Sequence, residues 1–267
     1  MRNIKLIIEY DGTGFNGWQA QRRLMPPFKG QGSRVKGKRL KTIQEEIEKA
    51  AKRLFGKKIS LIGASRTDSG VHAKAHVANF RTDSKLELTN IKNGLNSFLP
   101  RQISIISSEE VTLKFHSRID SIGKLYKYTI INRKSRSPLL ERYAAFVPYD
   151  LDLTMMRRAA KHLIGKKDFK SFQSSNKKEK NSSVRTVKKI EIIGRSESFP
   201  TSPIIEIYIQ ADGFLYNMAR NIVGTLIEVG RGRFKPEQVK EILAKRHRSS
   251  AGQTAPAKGL CLEKVFY

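Results

Sequence analysis

The chain has 267 residues, of which 52 are Lys or Arg and 24 are Asp or Glu, giving a formal net charge of +28 at pH 7. With 39% hydrophobic and 28% charged residues it is not a disordered, collagen-like or mucin-like chain, and it is long enough for one large domain or two modest ones. No apolar run approaches the ~20 residues that cross a bilayer, the start leads into a strand pattern and not a signal peptide, and the lone Cys261 forbids a disulfide framework or multi-cysteine zinc site.

Asn3–Tyr10 alternates Ile4, Leu6, Ile8 and Tyr10 on one face, which predicts a half-buried strand. Thr42-Ile-Gln-Glu45 has capping-box spacing, and Ile43, Ile47, Ala50, Ala51 and Leu54 then recur at helical period to about Phe55. Strands are expected at Ile59–Ala64, Lys74–Arg81 and Gln102–Ser107, with a helix over Thr89–Leu99 stopped by Pro100. The order β-α-β-β-α-β is the ferredoxin-like arrangement.

The second half partly repeats that order. Strands are expected at Lys124–Asn132, Tyr143–Val147, Val184–Ile193, Ile204–Ala211 and Leu260–Phe266. Asp152 caps a helix running to Ile164 and closed by Gly165, a very apolar helix spans about Phe214 to Val229, and Pro236–Lys245 reads as a surface helix. Arg22–Lys41 and Ser174–Ser183 have loop or linker composition.

The positive charge is clustered. No acid lies between Asp11 and Glu45, where Arg22, Arg23, Lys36, Lys38 and Arg39 fall. A second cluster spans Lys166 to Lys189 and a third Arg231 to Arg248, the latter diluted by Glu237 and Glu241. Clusters of this kind make a polyanion the leading partner, because Lys and Arg that neutralise phosphates release counterions. An anionic membrane is disfavoured, since no basic helix carries Trp or Phe on an apolar face.

Gly63-Ala-Ser-Arg-Thr-Asp-Ser-Gly-Val-His72 sets a carboxylate beside a guanidinium, hydroxyls and a flexible glycine, between two strands. Asp68 there suits a nucleophile, a general base or a metal ligand; an Asx turn, with the carboxylate bonding only local amides, competes with these. His72 and His76 share a strand face without a third ligand, a poor metal pattern. Tyr126 and Tyr128 share one strand face with Lys127 on the other, suiting base stacking or ordinary cross-strand packing. Arg220 interrupts an apolar helix and needs a carboxylate, with Asp68, Glu228 and Asp212 as candidates. Asp11-Gly-Thr-Gly14 reads as turn chemistry, and phosphate-loop, dinucleotide and zinc-finger patterns are absent.

Six segments in order resemble the TruA family of tRNA pseudouridine synthases. They are Glu9-Tyr-Asp-Gly-Thr-Gly-Phe-Asn-Gly-Trp-Gln19, Thr42-Ile-Gln-Glu-Glu46, Ser65-Arg-Thr-Asp-Ser-Gly-Val-His-Ala73, Tyr126-Lys-Tyr128, Gly213-Phe-Leu-Tyr-Asn-Met-Ala-Arg-Asn-Ile-Val-Gly224 and Ala255-Pro-Ala-Lys-Gly-Leu260. The resemblance implies an α+β fold of two ferredoxin-like halves, 1–110 and 111–267, sharing a central antiparallel sheet with a cleft between them. It implies a pseudouridine synthase acting on the tRNA anticodon arm, about positions 38 to 40. Asp68 falls on the catalytic aspartate, Tyr126 on the tyrosine that stacks on uracil, Arg220 on the arginine that pairs with the aspartate, and Arg66 on a residue that helps extrude the nucleotide. A cytoplasmic homodimer without cofactor or metal is expected, with an organellar location left open. The family's usual short link to the first helix is replaced by the longer, extremely basic Ala20–Lys41, and Ser65 and Ser69 stand where Gly and Ala are usual. The basic insertion would widen the RNA footprint or redirect the chain to another RNA, ribosomal RNA among them. An idle RNA-binding factor is the third alternative, and the intact Asp68, Tyr126 and Arg220 argue against it.

Overall fold

The alternating isoleucines and leucine at the start bury one face of β1 (Arg2–Tyr10), with Ile4, Leu6 and Ile8 fully enclosed. The computed structural model describes residues 1–19, 41–174, 182–196 and 203–267. The chain divides into two compact units, one comprising Met1–Gly70 and Val77–Ile119, the other Val71–His76 and Asp120–Tyr267.

In the first unit the order is β1, α1 (Ile43–Phe55), β2 (Ile62–Gly63), the part of β3 (His72–Thr82) from Val77 onward, α2 (Leu88–Phe98) and β4 (Ile103–Val111). The strands lie in the order β4-β1-β3, with β2 beside β3. The β1–β4 pair is antiparallel, with Ile4 opposite Glu110 and Tyr10 opposite Ile103. Thr42 and Glu45 close the expected capping box, and Ile43, Ile47, Ala50 and Ala51 are buried. The strand expected at Ile59–Ala64 shrinks to two residues because side chains of α1 take its backbone groups. Leu61 donates its N–H to Glu48 Oε1 at 3.0 Å, and Gln44 Nε2 donates to the Leu61 carbonyl at 3.2 Å.

The second unit holds β5 (Gly123–Asn132), β6 (Ala145–Val147), α3 (Leu153–Lys161), β7 (Gly165–Asp168), β8 (Val184–Ser196), β9 (Pro203–Ala211), α4 (Met218–Gly230), α5 (Gln238–Lys245) and β10 (Leu260–Phe266). Its strand order is β10-β5-β9-β8-β7, and the first residues of β3 pair in parallel with β10 at Cys261–His72. The chain is thus α+β, built on large sheet elements.

Three helix boundaries differ from expectation. Asp152 does cap α3, accepting from the Met155 N–H at 3.0 Å, but the helix stops at Lys161. Residues 162–164 unwind through tighter bonds such as Leu163 N–H to Ala160 O. Gly165, at φ +100°, opens β7 and does not cap α3. The very apolar helix starts at Met218, four residues late, because Asn217 takes a left-handed conformation at φ +60° just before it; Asn is one of the few residues that tolerates this. Pro236 precedes α5. The expected loop Arg22–Lys41, except Lys41, and most of Ser174–Ser183 lie outside the described residues.

Candidate active site

Asp68 lies on the loop from β2 to β3, and its placement begins with the segment that follows β1. Thr13 N–H bonds Asp11 Oδ1 at 2.9 Å, the expected turn chemistry. The chain then reaches Trp18, which is buried and donates its N–H to the Thr67 carbonyl at 3.1 Å. The carbonyls of Gly17 and Trp18 accept from Ile43 and Gln44, satisfying two of the open amides at the start of α1. Tyr10 Oη and Thr67 Oγ1 share a buried hydrogen bond of 2.8 Å. Ser69 Oγ donates to the Phe15 carbonyl at 2.9 Å.

This contact leaves no room for side chains at its centre. At Gly17, where φ is +72°, a Cβ would lie 2.3 Å from the Thr67 carbonyl oxygen. The loop bearing Asp68 is therefore held by the end of β1 and by the segment after it, which is itself tied to the start of α1. Asp68 is half-buried at the surface of this frame, and Arg66 two residues earlier is exposed.

In the second unit Tyr126 and Tyr128 face inward from β5 and Lys127 faces the other way, as their alternation predicts. Tyr126 is 6% exposed, and Phe214 meets its ring edge-on at 4.9 Å. Tyr128 is fully buried and donates its hydroxyl to the Pro256 carbonyl at 2.8 Å; burial raises its pKa well above the ordinary phenol value. On the opposite face Lys127 Nζ lies 3.2 Å from Glu206 and 3.7 Å from Glu263. Burial opposes the lysine charge there, but the Glu206 hydrogen bond and the two carboxylates outweigh it and raise its pKa.

Arg220 projects from the first turn of α4. Its Nε donates to the Ala255 carbonyl at 2.8 Å and its Nη1 to Asn217 Oδ1 at 3.1 Å, while Ala255 N–H returns a bond to the Arg220 carbonyl. Of the carboxylates offered by the sequence, Glu228 pairs with Arg231 and Arg233, and Asp212 accepts from the Thr186 N–H; both are engaged elsewhere. The next residue, Asn221, joins Arg248 and Thr254. Arg248 Nη2 donates to Asn221 Oδ1 and to Thr254 Oγ1, each at 2.9 Å. Thr225 Oγ1 bonds the Asn221 carbonyl and accepts the Gly252 N–H. These bonds lock the chain before β10 onto α4. Sequence reading missed this network, because the partners are 27 to 33 residues apart and none belongs to a periodic pattern.

His72 and His76 are both buried on β3. His72 Nε2 bonds the Arg142 carbonyl at 2.9 Å, and its ring packs on Tyr143. Among the described residues no group of three His, Cys, Asp or Glu side chains is placed to hold a metal ion, and no helix is long and apolar enough to cross a membrane. The expected RNA-binding residues Arg22, Arg23, Lys36, Lys38 and Arg39 lie outside the described residues. The third basic cluster is partly neutralised: besides the Glu228 pairs, Arg246 meets Asp168 at 2.8 Å.

Comparison with known proteins bears on these elements directly. The family model described as tRNA pseudouridine synthase matches residues 6–120 and 159–267. The chain is 48% identical over its whole length to tRNA pseudouridine synthase A 2 of Clostridium perfringens, all of which is covered. It is 43% identical to tRNA pseudouridine synthase A of Clostridium acetobutylicum and 45% identical to that of Caldicellulosiruptor bescii, again over the full length of both chains. The Asp68 loop, β5 with Tyr126 and α4 with Arg220 all lie in regions aligned to these enzymes, and the chain belongs to the TruA family of tRNA pseudouridine synthases, which are isomerases.

Proposed function

We propose that this enzyme isomerises uridine to pseudouridine in the anticodon arm of tRNA, at about positions 38 to 40, with Asp68 as the catalytic carboxylate. The observation that carries the reading is the frame under Asp68: a buried Tyr10–Thr67 bond and the Trp18–Thr67 backbone bond fix the residue immediately before the carboxylate. Preorganised placement of a reacting group is worth a large part of a barrier. The relatives' names supply the substrate class, and the six family segments supply the roles.

The reaction breaks the bond from ribose C1′ to uracil N1 and forms one from C1′ to C5, with the C5 proton lost to solvent and a proton taken up at N1. No electrons are gained or lost overall. A single carboxylate serves this chemistry by attacking the nucleoside or by deprotonating the ribose. Arg220 is the cationic counterpart that keeps Asp68 ionised against desolvation. Tyr126 stacks on the uracil once the nucleotide has left its helix, offsetting an unstacking cost of a few kcal/mol. Because Tyr126 is 6% exposed, its surroundings must part as the base enters. Arg66 helps draw the nucleotide out, and Arg22, Arg23, Lys36, Lys38 and Arg39 bind the RNA backbone. In this reading the enzyme is a cytoplasmic homodimer of chains with two ferredoxin-like halves, 1–110 and 111–267. The β-α-β-β-α-β order and the β4-β1-β3 arrangement with β2 beside β3 support that description of the first half.

The test is to map pseudouridine in tRNA transcripts treated with the enzyme. Modification is expected at uridines of positions 38 to 40 and is lost when cytidine replaces them. Modification confined to other positions, or to another RNA, would overturn the assigned substrate.

A further inference from the structure

Residues 112–119 close the first unit without belonging to a helix or strand, yet a buried polar chain holds them in place. Asn3 Nδ2 donates to the carbonyls of Thr112 and Phe115, both at 2.9 Å. Asn3 Oδ1 accepts from Asn79 Nδ2 at 2.9 Å, and Asn79 Oδ1 accepts the Ser117 N–H at 3.0 Å. Ser117 Oγ donates to the Ile62 carbonyl at 2.6 Å. Asn3, Asn79 and Ser117 are at most 2% exposed. Burying three polar side chains is costly unless they are satisfied, and a satisfied network specifies one arrangement.

What this chain of bonds positions is Arg118. The backbone N–H groups of Arg118 and Ile119 both donate to His116 Nδ1 at 3.2 Å, forming a tight turn with the Arg118 side chain outside. The Ser117 tether sets this turn against Ile62 in β2, which feeds directly into the loop of Arg66 and Asp68. Partial burial, and then the charge of Arg66, lower the Arg118 pKa, so the two guanidiniums feel one another. Among the described residues neither is paired with a carboxylate. Repulsion between two guanidiniums is unfavourable, and an anion accepting from both would relieve it.

We propose that Arg118 and Arg66 form a two-guanidinium clamp for an RNA backbone phosphate adjoining Asp68. The clamp rests on the reading above that the substrate is RNA, and it adds a residue that reading does not use. A phosphate fixed beside the loop would register the strand so that its neighbour faces the carboxylate, a positioning role for contacts that carry no sequence information.

The experiment compares the native enzyme with Arg118→Gln and Arg118→Lys on full-length tRNA transcript, reading Kd across a salt series and kcat and KM for pseudouridine formation. Arg118→Gln is expected to raise Kd and KM about tenfold, to leave kcat within about twofold, and to reduce the slope of log K against log salt by about 1. Arg118→Lys should restore the slope and part of the affinity, since the charge returns without the planar fork. A transcript carrying one neutral methylphosphonate near the target is the second readout and needs no variant to fold. One linkage should weaken the native enzyme and leave Arg118→Gln indifferent. Native affinity and slope in Arg118→Gln, or the absence of any such linkage, would overturn the clamp. If tRNA binds in an Arg118-dependent way but no pseudouridine forms, the clamp stands and the assigned reaction falls.

Discussion

Tyr10 and Thr67 meet across 57 residues of sequence in a buried hydrogen bond, one position before Asp68. Replacing Tyr10 with Phe keeps the ring that packs near Trp18 but leaves the Thr67 hydroxyl without that partner. The cost to stability should be about 1–3 kcal/mol, measured by chemical denaturation, and kcat should fall more than KM rises because the carboxylate loses its fixed seat. An effect on stability alone, with kcat unchanged, would separate the frame from the chemistry. The Asp68 segment itself is legible in the sequence as an Arg-Thr-Asp run between strands, and strand alternation alone sets Tyr126 and Lys127 on opposite faces. The frame was not legible, because a tyrosine at the end of an alternating strand looks like any other core residue. For Arg220 the place in an apolar helix calls for a carboxylate partner, whereas the bonds to Asn217 and the Ala255 carbonyl have no signal in the sequence.

The best-read elements carry strong periodicity and explicit caps, as in α1 with its capping box and in β10, found as expected at Leu260–Phe266. The misread ones are governed by contacts distant in sequence or by polar strands. β7 is Gly-Lys-Lys-Asp, with no apolar alternation to announce it, and it forms because Val184–Val187 supplies a ladder. Two predictions belong here. Gly224 in α4 faces the Gln253 carbonyl so closely that an added Cβ would lie 1.7 Å from its oxygen. Gly224→Ala should therefore push the 251–256 segment off the helix despite alanine's better helix propensity. A loss of roughly 3 kcal/mol or more is expected; a neutral or stabilising result would show that the segment is free to shift. Asp168 secures the start of β8 by accepting from Ser183 and the Lys170 N–H, and it meets Arg246. Although burial pushes its pKa up, the Ser183 and Lys170 hydrogen bonds and the Arg246 charge hold it below the usual carboxylate range. A depressed folded-state pKa contributes stability that is complete above the unfolded value near ~4 and is lost as pH falls through the folded value. Asp168→Asn should then cost stability at pH 7, by no more than about 1 kcal/mol for so exposed a group, and the difference from the native protein should shrink below about pH 4.

Charge was the most legible property of the whole molecule, because an excess of 28 cations needs no structure to be counted. Its distribution was less so. Arg231, Arg233 and Arg246 read as part of a basic cluster diluted by Glu237 and Glu241, yet the acids that hold them are Glu228 and Asp168, whereas Arg66 and Arg118 are left without a carboxylate among the described residues. Affinity for tRNA should fall steeply with salt, by about 10³-fold or more between 50 and 200 mM if six or more phosphates are contacted; affinity that barely changes would remove the electrostatic basis of recognition. The reaction itself is tested most directly by release of C5 tritium from labelled full-length tRNA transcript, with native enzyme beside Asp68→Ala. The native enzyme should release tritium, and Asp68→Ala should be slower by at least about 10³-fold while binding the transcript with nearly native affinity. Tritium release that persists in Asp68→Ala at a rate close to native would contradict the assignment of Asp68 as the catalytic carboxylate.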